Sequence, residues 1–236
     1  AANTMSKTGY TFVGWSDGTT TYPGGSTWTV PASDNDFTIT ALWNTITLAY
    51  SYDTNGGGTA PSSGTVNYNG SVNLAASSGL SKTGYTFAGW NDGSTTRNAG
   101  SSVTITSNTF FVAQWTAQSY SISYDGNGAT SGSVTSGSYV SGGVPYAIAA
   151  NGFSRSGYNF AGWKDASNNS YTVGSGYSTA ANLGLIAQWT PASYVVTYNA
   201  NGTTGGTAPS AGTLTTGITF NTSDNSGSLI KSGYTF

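Results

Sequence analysis

The chain has 236 residues with six basic and eight acidic side chains, no cysteine and no histidine, and every acidic residue is Asp. Lys7, Lys82, Arg97, Arg155, Lys164 and Lys231 are too few and too dispersed to displace phosphate counterions, which excludes a nucleic-acid partner. Without Cys or His the familiar structural zinc sites are excluded too, and no stretch approaches the roughly 18 apolar residues of a membrane span.

The first patterned stretch from the N-terminus is Gly9-Tyr10-Thr11-Phe12-Val13-Gly14-Trp15. It returns as Gly84-Tyr85-Thr86-Phe87-Ala88-Gly89-Trp90, as Gly157-Tyr158-Asn159-Phe160-Ala161-Gly162-Trp163, and finally as Gly233-Tyr234-Thr235-Phe236. The leading glycines stand 75, 73 and 76 residues apart, which makes the chain a tandem array. The expected division is 1–44, the C-terminal part of a first repeat; 45–116 and 117–190, two full repeats; and 191–236, the N-terminal part of a fourth. Ala1-Ala2-Asn3 matches Ala149-Ala150-Asn151, so the window is expected to open and close in mid-repeat, with the natural protein continuing at both ends.

After the first motif comes Asp17-Gly18, and after the second Asp92-Gly93, both expected to form tight primed turns with positive φ at the two central residues. The third repeat has a longer loop there, Lys164 to Asn169, without the glycine. Each repeat closes on a strand with alternate residues on one face: Ile39, Ala41, Trp43; Phe111, Ala113, Trp115; Leu185, Ala187, Trp189. From each closing Trp the chain runs directly into the next opening strand, with Leu48, Tyr50 and Tyr52 on one face, as are Tyr120, Ile122, Tyr124 and Tyr194, Val196, Tyr198. This leaves no room for a slack linker, so neighbouring repeats are expected to be held at a fixed angle.

Asn55-Gly56, Asn127-Gly128 and Asn201-Gly202 follow as hairpin turn signals. They lead to a second strand region, Thr65 to Leu74, interrupted at Gly70. Apolar residues nowhere recur at helical spacing over ten positions, although Tyr22 to Asp36 and Asn98 to Asn108 have room for a single turn.

Chemistry is scarce. Acid–base and nucleophilic sites draw on His, Glu, Asp, Lys and Cys, of which this chain has only Asp and Lys, so no enzyme and no cofactor is expected. Asp53, Asn55, Asp125 and Asn127 resemble the opening of a calcium loop, but further carboxylates are missing and turn chemistry accounts for them. Trp15, Trp90 and Trp163 hold one place in every repeat, which suits a shared core position better than a sugar-stacking platform. Trp28 has no tryptophan counterpart and is the candidate for ligand contact. Lys7, Lys82, Arg155 and Lys231 precede the motif glycine by two residues; a cation over an aromatic ring explains them better than an isopeptide crosslink, which Arg155 cannot form.

The order of strand, Asn-Gly turn, strand, Gly-Tyr-x-Phe-x-Gly-Trp and closing strand resembles the Listeria–Bacteroides repeat, the B-repeat of internalin-type bacterial surface proteins. In the third repeat the matching residues are Tyr124-Asp125-x-Asn127-Gly128, Gly157-Tyr158-x-Phe160-x-Gly162-Trp163 and Ala187-Gln188-Trp189. The resemblance implies a small β-grasp-like unit on an extracellular bacterial protein. The stretch before the closing strand lacks an amphipathic piece, so the expected fold is mainly β with little or no helix. The expected role is a stiff stalk, spacer or adhesive module at the cell surface, with a self-assembling filament and a carbohydrate-binding module as alternatives. Expected partners are neighbouring repeats, other copies of the chain or surface glycans.

Overall fold

The computed structural model describes residues 4–29, 32 and 36–235. The Ala1-Ala2-Asn3 match, Phe236 of the last motif and part of the Tyr22 to Asp36 stretch lie outside them. Among the described residues there is no helix, and the chain divides into two compact units, Ala1–Gln118 and Ser119–Phe236.

The first unit holds one complete five-stranded sheet, in the order Gly64–Asn67, Thr47–Asp53, Thr109–Ala117, Tyr85–Asn91, Thr96–Arg97. The opening and closing strands lie side by side at its centre and run parallel, Thr109 beside Tyr50 and Val112 beside Asp53. The other pairings are antiparallel. The second unit repeats the order with Gly137–Val140, Ser119–Asp125, Leu183–Pro191, Tyr158–Lys164 and Ser170–Tyr171, the central pair again parallel. Each unit also carries a part-repeat: Thr21–Tyr22, Tyr10–Ser16 and Thr40–Thr45 in the first, Ser193–Val196 with Gly212–Thr215 in the second.

A central closing strand must be apolar where it meets the core. Phe111, Ala113, Leu185 and Ala187 are accordingly fully buried. The layer over the sheet is a two-stranded ribbon instead of a helix: Ser71–Asn73 pairs with Ser102–Thr104, and Tyr146–Ala147 with Gly176–Tyr177. The first ribbon sets Val72 beside Val103, and these join Leu74, Ile105, Trp90, Phe111, Leu48 and Tyr52 in one core. The region from Thr65 to Leu74 is thus two short strands in different sheets, bent at Asn69, whose φ of 62° places it in the left-handed region.

Two turn expectations need correction. The Asn-Gly pairs form primed turns, with φ of 49° and 83° at Asn55 and Gly56 and 48° and 79° at Asn127 and Gly128. They do not join their strands directly, because residues 54–63 separate Asp53 from Gly64. At Asp17-Gly18 and Asp92-Gly93 only the glycines take positive φ, 101° and 94°. The Asp side chains instead gather the loop.

Candidate functional site

The motif begins with a tight turn. The N–H of Tyr10, Tyr85, Tyr158 and Tyr234 donates to the carbonyl of Lys7, Lys82, Arg155 and Lys231, at 2.9–3.0 Å in every copy. The third residue of that turn is the motif glycine, with φ of 80° at Gly9, 81° at Gly84, 80° at Gly157 and 83° at Gly233. A turn with positive φ at its third residue favours glycine, which accounts for the first letter of the repeat. The cation two residues earlier sits over the motif tyrosine: Lys7 Nζ lies 4.0 Å from the Tyr10 ring centroid, Lys82 Nζ 5.0 Å from Tyr85, Arg155 Cζ 4.2 Å from Tyr158 and Lys231 Nζ 4.9 Å from Tyr234. Lys82, Arg155 and Lys231 also donate to the carbonyls of Asn55, Asn127 and Asn201. Such ring contacts at accessible sites contribute about 0.5–1 kcal/mol and a hydrogen bond a similar amount, so Lys82→Gln should lower stability by about 1–2 kcal/mol in a urea titration.

The spacing Phe-x-Gly-Trp would put Phe and Trp on opposite faces of a regular strand. A β-bulge brings them together. Trp115 pairs with Phe87 and Gln114 with Gly89, leaving Ala88 unpaired, and the same shift falls between Phe12 and Gly14 and between Phe160 and Gly162. Gly89 takes a φ of 144°, and a Cβ there would stand 2.6 Å from the Arg97 carbonyl oxygen. As a result Phe87 lies edge-on to both Trp90 and Trp115, at 5.3 and 5.6 Å between ring centroids. Phe160 does the same with Trp163 and Trp189 at 5.0 and 5.8 Å, and Phe12 with Trp15 and Trp43 at 5.5 Å each.

Both tryptophans of this trio are tied to the backbone. Trp90 Nε1 donates to the Ala75 carbonyl at 2.9 Å, and the Ala75 N–H donates to the Tyr52 hydroxyl at 3.1 Å. Trp163, Ala149 and Tyr124 repeat the arrangement at 3.0 and 2.8 Å. Burial raises the Tyr52 phenol, and pushes that of Tyr124 up to about 12, which keeps both as protonated hydroxyls accepting these N–H groups. Trp115 and Trp189 donate to the carbonyls of Thr54 and Gly126. Trp90 and Trp163 are buried, which leaves no face for a sugar.

The calcium-like positions are occupied with turn bonds. Asp53 Oδ1 and Asp125 Oδ1 each accept the N–H of the Asn two residues on, at 2.8 Å. Asn55 and Asn127 point their amides at the closing strand, donating to the carbonyls of Ala113 and Ala187.

Among the described residues the three Asp residues of the loops after the motif are the most perturbed acids. Asp92 Oδ1 accepts from the N–H groups of Ser94 and Thr95 and from the Ser94 hydroxyl, and Oδ2 accepts from Arg97 at 3.3 Å. Asp17 accepts from Thr19, Thr20 and Tyr22 in the same way. The longer third loop keeps the device: Asp165 accepts from Ser167, Asn169 and Tyr171, while Asn168 supplies the positive φ, 68°, in place of the glycine. The backbone bond from Thr95 leads those holding Asp92 well below the ordinary carboxylate range; the bond from Thr20 leads at Asp17, and the Asn169 side chain at Asp165. Their folded-state pKa lies below the unfolded one, so the stabilisation is complete above the ordinary Asp value of about 3.9 and is lost as pH falls below it. A carboxyl-detected NMR titration should show Asp17 and Asp92 still ionised at pH 3. Asp92→Asn should narrow the stability gap between pH 6 and pH 3.

Trp28 lies edge-on to Tyr22 and Phe37, at 6.2 and 5.6 Å between centroids, and lines a concavity with Trp15, Pro23, Ser26 and Ile39. It is half-buried. No group of three or more acidic, His or Cys side chains able to hold a metal occurs among the described residues.

The joint between repeats is short, as the direct run from closing to opening strand led one to expect, and the structure adds how it is bonded. One residue, Ile46, separates the closing strand of the first repeat from the opening strand of the second. Its N–H donates to the Gly9 carbonyl at 2.8 Å, and its own carbonyl accepts the Tyr68 N–H at 2.8 Å. Ala192 does the same in the second unit, bonding Gly157 at 2.8 Å and Thr216 at 3.0 Å. The Gln118 N–H likewise donates to Gly84 at 2.8 Å. The Tyr68 ring lies against Gly9, where any Cβ would overlap it, and Thr216 Cγ2 would stand 2.7 Å from a Cβ at Gly157. Its shortness was legible where each closing strand runs directly into the next opening strand; the side chain laid over the motif glycine was not.

Comparison with known proteins agrees with the architecture. The sequence profile of the Listeria-Bacteroides repeat domain matches three times, at residues 1–41, 50–114 and 120–188. A protein of Evansella cellulosilytica described as a Gly-rich membrane protein is 31% identical over 225 residues, covering 84% of this chain and 24% of its own length. The chain thus spans about a quarter of that relative, and no solved structure matches it. No helix among the described residues is long and apolar enough to cross a membrane. With the profile recurring at the spacing of the Gly-Tyr-x-Phe-x-Gly-Trp motif, this chain belongs to the Listeria-Bacteroides repeat domain family.

Proposed function

We propose that this chain is a non-enzymatic spacer segment of a bacterial surface protein, setting distance and presenting its surface to neighbours outside the cell. The observation that carries this reading is the joint. A single residue links two repeats, and both of its backbone groups are bonded, one to each repeat. A slack connection would leave those groups to water. Membership of a family found on surface proteins and the similarity to a Gly-rich membrane protein support the location.

The test is scattering from arrays of increasing repeat number. A spacer should lengthen by an equal step with each added repeat, and Ile46→Pro, which removes the N–H given to Gly9, should make the step irregular. Arrays whose maximum dimension grows as that of a compact globule would reject the reading. The concavity at Trp28 favours a second, narrower reading as a glycan contact. Quenching or shift of tryptophan emission by oligosaccharides, abolished in Trp28→Ala, would support it.

A further inference from the structure

We infer that the side chain covering the motif glycine, Tyr68 at the Ile46 joint and Thr216 at the Ala192 joint, sets how firmly the repeats on either side are fastened, so these two joints differ in strength. The inference rests on the spacer reading for its purpose, but not for its test.

The backbone parts of the two joints are the same. Gly9 and Gly157 share a φ of 80°, and the carbonyl of each accepts the linking residue's N–H at 2.8 Å. The linking carbonyl then accepts the N–H of the covering residue in both. What differs is the side chain laid on the glycine. In the first joint three ring carbons of Tyr68 crowd the space in which a Cβ would stand, and the ring also packs against the core of the second repeat together with Ile46. In the second joint the cover is the methyl and hydroxyl of Thr216, above a linking residue that is only Ala192.

A flat ring shields the Gly9–Ile46 hydrogen bond from water and adds apolar contact to both repeats. Threonine covers less apolar surface; what it adds is a hydroxyl bond to the Ala192 carbonyl at 3.3 Å, longer than the backbone bond beside it at 3.0 Å. The linking amide is a direct reporter, because it exchanges with solvent only when the joint opens.

The experiment is amide hydrogen exchange on the full chain with exchanged side chains. Tyr68→Thr should speed exchange at the Ile46 amide by at least ten-fold while the Trp90 amide, inside the same sheet, keeps its protection. Thr216→Tyr should slow the Ala192 amide relative to the parent chain. Tyr68→Phe keeps the ring carbons that touch Gly9 and should leave Ile46 within two-fold of the parent. Unchanged exchange at Ile46 in Tyr68→Thr, or an opened joint in Tyr68→Phe, would overturn the inference. The scattering steps that test the spacer reading are measured separately, so either idea can fail alone.

Discussion

Alanine at Gly9 is expected to unfasten the first repeat from the second without unfolding the second. Two costs add. The residue sits at a φ of 80°, where an L side chain costs roughly 1–2 kcal/mol, and its Cβ would overlap the Tyr68 ring, which cannot retreat without leaving its core. Gly100 separates the two costs: it has a φ of 76° but nothing within 4 Å of a notional Cβ, so Gly100→Ala bears the backbone cost alone. Denaturant unfolding should therefore show a larger loss for Gly9→Ala than for Gly100→Ala. The double variant Gly9→Ala with Tyr68→Ala should be less destabilised than the sum of its singles, by roughly the 0.5–3 kcal/mol typical of residues in contact. Equal losses at Gly9 and Gly100, or strict additivity, would show that the ring does not bear on the glycine.

Trp90→Ala is expected to have the largest effect of any single change in the complete repeat of the first unit. The indole is buried to 0% exposure, lies 4.7 Å from the Tyr52 ring centroid and 5.3 Å from that of Phe87, and donates to Ala75. Truncating such a residue costs about 3–5 kcal/mol, much of what a domain this small has to lose. Trp90→Phe fills part of the cavity but leaves the Ala75 carbonyl without its donor, and should fall between the parent and Trp90→Ala. Calorimetry should show the transition of that repeat lowered or lost in Trp90→Ala, with the transition of the second unit left in place. A normal transition would mean the motif tryptophan is not the centre of its core.

The tandem repetition and the mainly β fold were legible because the heptad recurs at near-constant spacing and because residues of one face return at every second position in the opening and closing strands. The absence of a helix among the described residues was legible in the lack of any helical apolar spacing. What period-two reading could not give was the face shared by Phe87 and Trp90, since a bulge adds one residue to one strand only and looks like any other pair of positions. The loops hid their logic in a different way. Asp17, Asp92 and Asp165 act as acceptors at the centre of their turns, and this survives the loss of the glycine in the third loop because Asn168 can take its φ. The ribbon that stands in for a helix was invisible because its strands are only two or three residues long.

The parallel pair at the centre of each sheet also governs how tension passes through a repeat. Because Thr47–Asp53 and Thr109–Ala117 run the same way, the chain enters at one end of the central strand pair and leaves at the opposite end, about 35 Å away along the strands at roughly 3.3 Å per residue. Traction on those two points acts along the strands and slides them past each other. The ladder bonds between them must then give way together, not one after another, so a repeat held by its ends resists being drawn out as a single body.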